Sequence, residues 1–138
     1  MADDARVTPD PLADPDCPFC DRAGLLKPVA EHGSVFAIED KHPVSPGHHL
    51  VVPRRHTPDF FTMTSQERRD AEELVLLLRE RILSSDPTVL GFNVGANCGE
   101  VAGQTVPHAH VHLIPRRRGD TPRPRGGVRG VIPDKMAY

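Results

Sequence analysis

Apolar positions along this chain switch between two periods. Ser34-Val-Phe-Ala-Ile38 is a short β-branched and aromatic run closed by Glu39-Asp40, and His48-His-Leu-Val-Val52 is a second one ended by Pro53. Runs of this length predict strands. The Pro- and Gly-rich turn between them (Pro43, Pro46, Gly47) predicts antiparallel neighbours. From Thr64 the period lengthens, and Ala71, Leu74, Val75, Leu78 and Ile82 mark one face at helical spacing. Thr64-Ser-Gln-Glu67 fits a capping box at the start of that helix, and Asp86-Pro87 stops it. Leu76, Leu77 and Leu83 widen the apolar surface, which suits either ordinary packing or a subunit contact. Residues 89–94 read as a further strand and residues 95–103 as a flexible polar loop.

The loop leads into Gln104-Thr-Val-Pro-His108-Ala-His110-Val-His112-Leu-Ile-Pro-Arg116, which predicts the last strand and a hairpin with residues 89–94. Side chains alternate between the faces of a strand. His108, His110 and His112 therefore share one face, with imidazoles about 7 Å apart, and Ala109, Val111 and Leu113 share the other. A row of imidazoles fills a core poorly and lines a site well. The hairpin brings Asn97, Gln104 and Thr105 beside it.

Composition narrows the setting. The 138 residues fit one domain, 38% hydrophobic and 26% charged, with no apolar run long enough for a membrane span. The acidic start, Met-Ala-Asp-Asp-Ala-Arg, has no apolar segment after it, so no secretory signal is expected. Three cysteines are too few for a disulfide scaffold and point to a reducing, cytoplasmic location. Residues 1–16 are expected to form a disordered acidic arm. Charge is uneven: residues 1–21 hold six Asp against one Arg, whereas residues 116–130 hold six Arg (116, 117, 118, 123, 125 and 129) against one Asp. The basic stretch reads either as a solvated tail or as arginines that meet a polyanionic substrate. An extended nucleic-acid footprint is not expected at a net charge of −2.

Cys17-Pro-Phe-Cys20 offers two thiolates to one tetrahedral zinc, given two more ligands from elsewhere. A redox pair and simple buried cysteines are the alternatives. The acidic coil before the motif disfavours the redox reading, since a redox pair follows a strand and opens a helix. Cys98, beside Gly99, reads as unpaired and incidental.

Three histidines on one strand face leave two chemical readings. A catalytic metal on His-x-His usually has an acidic residue soon after the pair, but here no acid occurs until Asp120. The other reading is nucleophilic attack by a neutral imidazole, whose unperturbed pKa near 6.5 leaves one nitrogen free at neutral pH. Phosphorus is a suitable target, because a phosphohistidine is labile enough to be hydrolysed in a second step. The flanking groups would stabilise the phosphoryl oxygens.

His108-Ala-His110-Val-His112-Leu-Ile resembles the His-φ-His-φ-His-φ-φ signature of the histidine-triad nucleotide hydrolase and transferase family. The likeness runs through Gly103-Gln-Thr-Val-Pro before it and Pro115-Arg-Arg after it, similar to the fragile-histidine-triad branch that splits dinucleoside polyphosphates. Residues 40–53, with Pro46-Gly47-His48 inside, are similar to the family's first hairpin, and Arg125-Gly-Gly-Val-Arg-Gly-Val-Ile-Pro133 to the tail of bacterial members. The resemblance implies an α+β fold, a histidine-triad domain over residues 17–118. It has an antiparallel sheet of about five strands with packed helices and assembles as a homodimer. Residues 119–138 would be an Arg/Gly-rich tail packing on the domain or on the partner subunit.

By that resemblance the substrate is an AMP-containing nucleotide, cleaved at its α-phosphate. His110 would attack, its other nitrogen held by a backbone carbonyl near His108. His112 would bind a non-bridging oxygen, Thr105 and Gln104 the phosphate or leaving group, and Asn97 the ribose or α-phosphate. His48 would buttress the triad and Asp40 bind the ribose hydroxyls, although Lys41 is less typical there. A structural Zn²⁺ would be held by Cys17, Cys20, His56 and His108, and Mg²⁺ would assist on a polyphosphate chain. The expected activity is hydrolysis of dinucleoside polyphosphates. The alternatives are a purine nucleoside phosphoramidase and a non-catalytic nucleotide-binding protein. Galactose transfer is not expected, because the chain is too short and lacks that branch's Pro-flanked dipeptide.

Overall fold

Five strands and one long helix carry the fold, seen in a computed structural model that describes residues 13–20 and 26–138. The strands are β1 (Ala30–His32), β2 (Val35–Glu39), β3 (His49–Pro53), β4 (Val89–Gly95) and β5 (Val111–Arg117); helix α1 spans Ser65–Ser85. They form one antiparallel sheet in the order β1-β2-β3-β5-β4. The architecture is the expected α+β one, with a correction. Among the described residues there is a single α-helix, and the other helical pieces are 3-10 turns at Phe60–Thr62, Glu100–Ala102, Gly127–Val131 and Pro133–Lys135. The acidic arm falls mostly on residues 1–12, outside the described residues. Its end is a turn in which the Asp14 carbonyl accepts from the Cys17 N–H at 3.0 Å.

Alternation assigns each sheet face a task. Ala37 pairs with Val51, and Val51 with Val111. These residues, with Val35, Ala109 and Leu113, pack against Ala71, Leu74 and Leu78 of α1. Burying side chains such as Leu74 and Leu113, both at or below 1% exposure, contributes about 2 kcal/mol each. The opposite face carries Phe36, Leu50 and Val52, covered by Cys17 and Phe19. Leu50 stands directly across from His112. One face is core, and among the described residues the other is covered by the cysteine knuckle with Leu26 and Val106 packed beside it.

The helix starts as its sequence predicts. The Thr64 hydroxyl accepts from the Glu67 N–H at 3.0 Å, and Glu67 returns the bond to the Thr64 N–H at 2.8 Å. Glu67 is also gripped by Arg55 at 2.9 and 3.0 Å, which explains how a carboxylate becomes 95% buried. That pair fixes the segment after β3, next to His56, onto the helix start. Leu76 and Leu77 are exposed. No helix among the described residues is long and apolar enough to cross a membrane.

Three boundaries differ from those the sequence suggested. β1 has no periodic signal, being three residues with partial exposure. β3 runs from His49 to Pro53, leaving His48 just before it. β5 begins at Val111, so His108 and His110 lie on its extended approach rather than in the ladder. That approach is anchored by the Ala109 N–H donating to the Thr57 carbonyl at 2.8 Å.

The β1–β2 turn supplies a stability prediction. Gly33 has φ +55°, and a Cβ there would sit 2.5 Å from Asp70 Oδ2. This carboxylate accepts from the Ser34 N–H at 2.9 Å and the Ser34 hydroxyl at 2.7 Å. Gly33→Ala is expected to lower stability by roughly 1–3 kcal/mol, read as a lower urea midpoint at unchanged slope.

Candidate functional site

The protonation of each imidazole follows from groups that can only donate or only accept. A backbone carbonyl accepts, so His110 Nδ1, 2.8 Å from the His108 oxygen, carries a proton, and in the neutral ring Nε2 keeps its lone pair. The Val44 backbone N–H donates to His48 Nδ1 at 3.1 Å, so neutral His48 carries its proton on Nε2. That proton faces His112 Nδ1 at 2.9 Å, with Asp40 Oδ2 at 3.4 Å. His112 Nδ1 therefore accepts, and its proton sits on Nε2. His110 and His112 are in edge contact, 5.2 Å between ring centroids, closer than the 7 Å of a regular strand. One ring presents a lone pair at Nε2 and its neighbour presents an N–H there.

Burial keeps both supporting rings neutral. Desolvation lowers the pKa of His112, reinforced by His110 and His48 and opposed by Asp40. Desolvation likewise lowers that of His48, opposed by Asp40 and reinforced by His49. In the unfolded chain each protonates near 6.5. Because the folded values lie below that, their contribution to stability is complete above pH 6.5 and is lost as pH falls through the folded values. Ring-proton NMR titration is expected to give midpoints below 6.5 for both residues; a midpoint above 6.5 for His112 contradicts the assignment.

His108 faces the other way. Its Nε2 donates to the Pro53 carbonyl at 2.8 Å, so in the neutral ring Nδ1 carries the lone pair. It lies 3.5 Å from Cys17 Sγ, 3.5 Å from Cys20 Sγ and 3.2 Å from His56 Nδ1, and Cys20 Sγ lies 3.0 Å from His56 Nδ1. Metal–sulfur bonds of about 2.3 Å and metal–nitrogen bonds of about 2.05 Å set neighbouring donors of a tetrahedral site about 3.3–3.8 Å apart. The four donors come close to that spacing, and they can hold a metal ion. No disulfide joins Cys17 and Cys20.

His110 and His112 open into a pocket of about 620 Å³, within the range of small-molecule sites. Asp40, Asn97 and Thr105 line it, together with Lys27, Lys41 and an apolar wall that includes Phe19, Leu26, Ile38 and Leu50. His48 supports the site from behind, 4% exposed. Gln104 is placed differently. Its carboxamide donates to the Pro58 and Val106 carbonyls at 2.7 and 3.0 Å and accepts from the Gly99 N–H at 2.8 Å. It stitches the loop rather than lining the pocket. Sequence reasoning missed Phe19, Ile38 and Leu50; for the last two the signal was their alternation with the core residues Ala37 and Val51.

The arginines lie elsewhere, and none of Arg116, Arg117, Arg118, Arg123, Arg125 or Arg129 lines this pocket. Arg116 forms a fork with Asp120, both bonds 2.8 Å. Arg117 meets Asp86 at 2.7 Å. The Thr88 hydroxyl and then Arg117 hold Asp86 down to about 2. Arg125 and Arg129 each sit 4.8 Å from the centre of the Tyr138 ring.

Comparison with known proteins agrees with this geometry. The family model of the HIT domain matches residues 27–119. The chain is 35% identical over 121 residues to an AP-4-A phosphorylase of Mycobacterium tuberculosis, covering 81% of this chain and 60% of that protein. It is 40% identical over 81 residues to the asymmetrical bis(5'-nucleosyl)-tetraphosphatase of Schizosaccharomyces pombe, covering 56% and 42%. The chain thus spans less than two thirds of these two relatives. A zinc-bound histidine triad family protein from Mycobacterium smegmatis has a similar structure, with a TM-score of 0.69 at 30% identity over 77% of this chain and 78% of that one.

Proposed function

Because this chain belongs to the HIT domain family, we propose that it is a nucleotide hydrolase. It cleaves dinucleoside polyphosphates, such as diadenosine tetraphosphate, at the α-phosphate through a nucleotidyl-histidine intermediate. The observation that carries this reading is the opposed pair of rings, a lone pair on His110 Nε2 beside a proton on His112 Nε2. An attacking group and a donor for the developing oxyanion stand side by side. The names of the tetraphosphatase and the AP-4-A phosphorylase support the substrate class.

His110 Nε2 attacks the α-phosphorus, the P–O bond to the bridging oxygen breaks, and the polyphosphate leaves. Positive charge on the ring is stabilised by the Nδ1–H bond to the His108 carbonyl. His112 donates to a non-bridging oxygen, where a hydrogen bond counts most in the transition state. Water then attacks phosphorus, the P–N bond breaks, and AMP departs with His110 restored. Thr105 serves the leaving group, Asn97 the α-phosphate or ribose, and Asp40 the ribose hydroxyls. Gln104 holds the loop that presents Thr105, and Mg²⁺ accompanying the polyphosphate would supply charge neutralisation for the leaving group. Cys17, Cys20, His56 and His108 would hold a structural Zn²⁺, which would crosslink the knuckle to the sheet. The protein acts as a cytoplasmic homodimer, with the exposed Leu76 and Leu77 available to the contact.

The alternatives separate by assay. The kcat/KM for diadenosine tetraphosphate is expected to exceed that for adenosine phosphoramidate; a large preference for the phosphoramidate makes the protein a phosphoramidase. Tight nucleotide binding without turnover of either makes it a binding protein. Because one close relative is a phosphorylase, products are also compared with and without inorganic phosphate. Water gives AMP and ATP, whereas phosphate opening the same intermediate gives ADP and ATP.

A further inference from the structure

Phe19 stands between the four-donor cluster and the attacking imidazole. It is the third residue of Cys17-Pro-Phe-Cys20, only 9% exposed, and its N–H points at Cys17 Sγ at 3.4 Å. Its ring meets His110 edge-on, centroids 5.1 Å apart at 72°, and meets His108 at 5.9 Å and 88°. His110 also meets His112, at 5.2 Å and 62°.

A single hydrogen bond from Nδ1 to the His108 carbonyl fixes one point of the His110 ring and leaves its plane free to turn. Two edge contacts, from Phe19 and from His112, fix the plane. We infer that Phe19 is a positioning residue for His110: held by the closed knuckle, its ring keeps Nε2 aimed into the pocket and Nδ1 on the carbonyl. The knuckle then bears on the reaction by two routes, the main chain of His108 and the side chain of Phe19. Only the second can be removed without touching a donor atom. The catalytic half of this inference rests on His110 being the nucleophile; the positioning half does not.

The experiment uses the full chain with Phe19→Ala and Phe19→Leu. Phe19→Ala is expected to lower kcat by about 10- to 100-fold, the scale of a small misplacement of a reacting group. Metal content is expected to stay near that of the parent. Long-range proton–nitrogen NMR at one fixed pH is expected to show His110 in a single Nδ1–H form in the parent and in a mixture of tautomers in Phe19→Ala. Phe19→Leu, which refills most of the space, is expected to restore both the rate and the single form. Three results overturn the inference: unchanged ring-nitrogen signals in Phe19→Ala; a raised KM at parental kcat, which makes Phe19 a wall for substrate only; or loss of metal in both variants, which makes it part of the knuckle alone. If the parent turns over no nucleotide, the proposed reaction fails while the ring-nitrogen signals still decide the role of Phe19.

Discussion

Replacing His110 by alanine is expected to cost about four orders of magnitude or more in turnover, the scale seen when a nucleophile is removed from an enzyme whose other parts remain. AMP binding is expected to survive. The donors expected to hold the nucleotide belong to other residues: His112 through Nε2–H, and Asn97, Thr105 and Asp40 around the pocket. The change leaves the His48–His112 bond intact, because His110 donates to a carbonyl and not to either ring. Rapid quench with a nucleotide labelled at the α-phosphate is expected to trap an acid-labile, alkali-stable adduct in the parent and none in His110→Ala. Parental turnover in that variant, or an adduct at another residue, overturns the mechanism.

Removing the metal is expected to have the largest effect on stability. The donor set has two thiolates and two neutral imidazoles, and its two negative charges would balance a divalent cation in a site whose histidine at 108 is fully buried. Without the cation, the thiol and imidazole groups keep only weak Sγ···Nδ1 contacts of 3.0–3.5 Å among themselves, which hold the knuckle to the sheet less firmly than metal bonds do. About one zinc per chain is expected. Cys17→Ser is expected to lose it and to lower stability by on the order of 4 kcal/mol, the range for loss of a structural metal. A chelator is expected to reproduce the loss in the parent and zinc to reverse it. A parent free of metal yet as stable as the zinc-supplemented protein refutes this.

Much of this site was legible because period-two alternation is a strong rule. It put His108, His110 and His112 opposite Ala109, Val111 and Leu113 although the first two histidines precede the ladder, since the approach to β5 is already extended. The capping box at Thr64 and Glu67 was equally legible, because both partners lie within one turn. What escaped was set by long-range contacts. β1 exists because its backbone pairs with β2, a property its three side chains do not advertise. The ring protonation states depend on the Val44 N–H and on the carbonyls of His108 and Pro53, and main-chain groups leave no trace in residue identity. The carboxamide of Gln104 looked like a ligand donor because its three backbone partners, at 58, 99 and 106, are brought together only by the folded loop.

The two faces of β5 also bear on how this protein tolerates change in evolution. Substitutions at Val111 and Leu113 act on stability through α1, and those at His110 and His112 act on the pocket, so the two properties vary independently by point mutation. A deletion or insertion of one residue between Gln104 and Val111 has no such separability. It would displace His108 and His110 relative to the ladder that begins at Val111, disturbing the donor cluster and the pocket at once. Length variation should therefore be confined to the turn around Gly99–Gly103, ahead of the Gln104 stitch, whereas the spacing from Gln104 to His112 should be fixed in any working descendant.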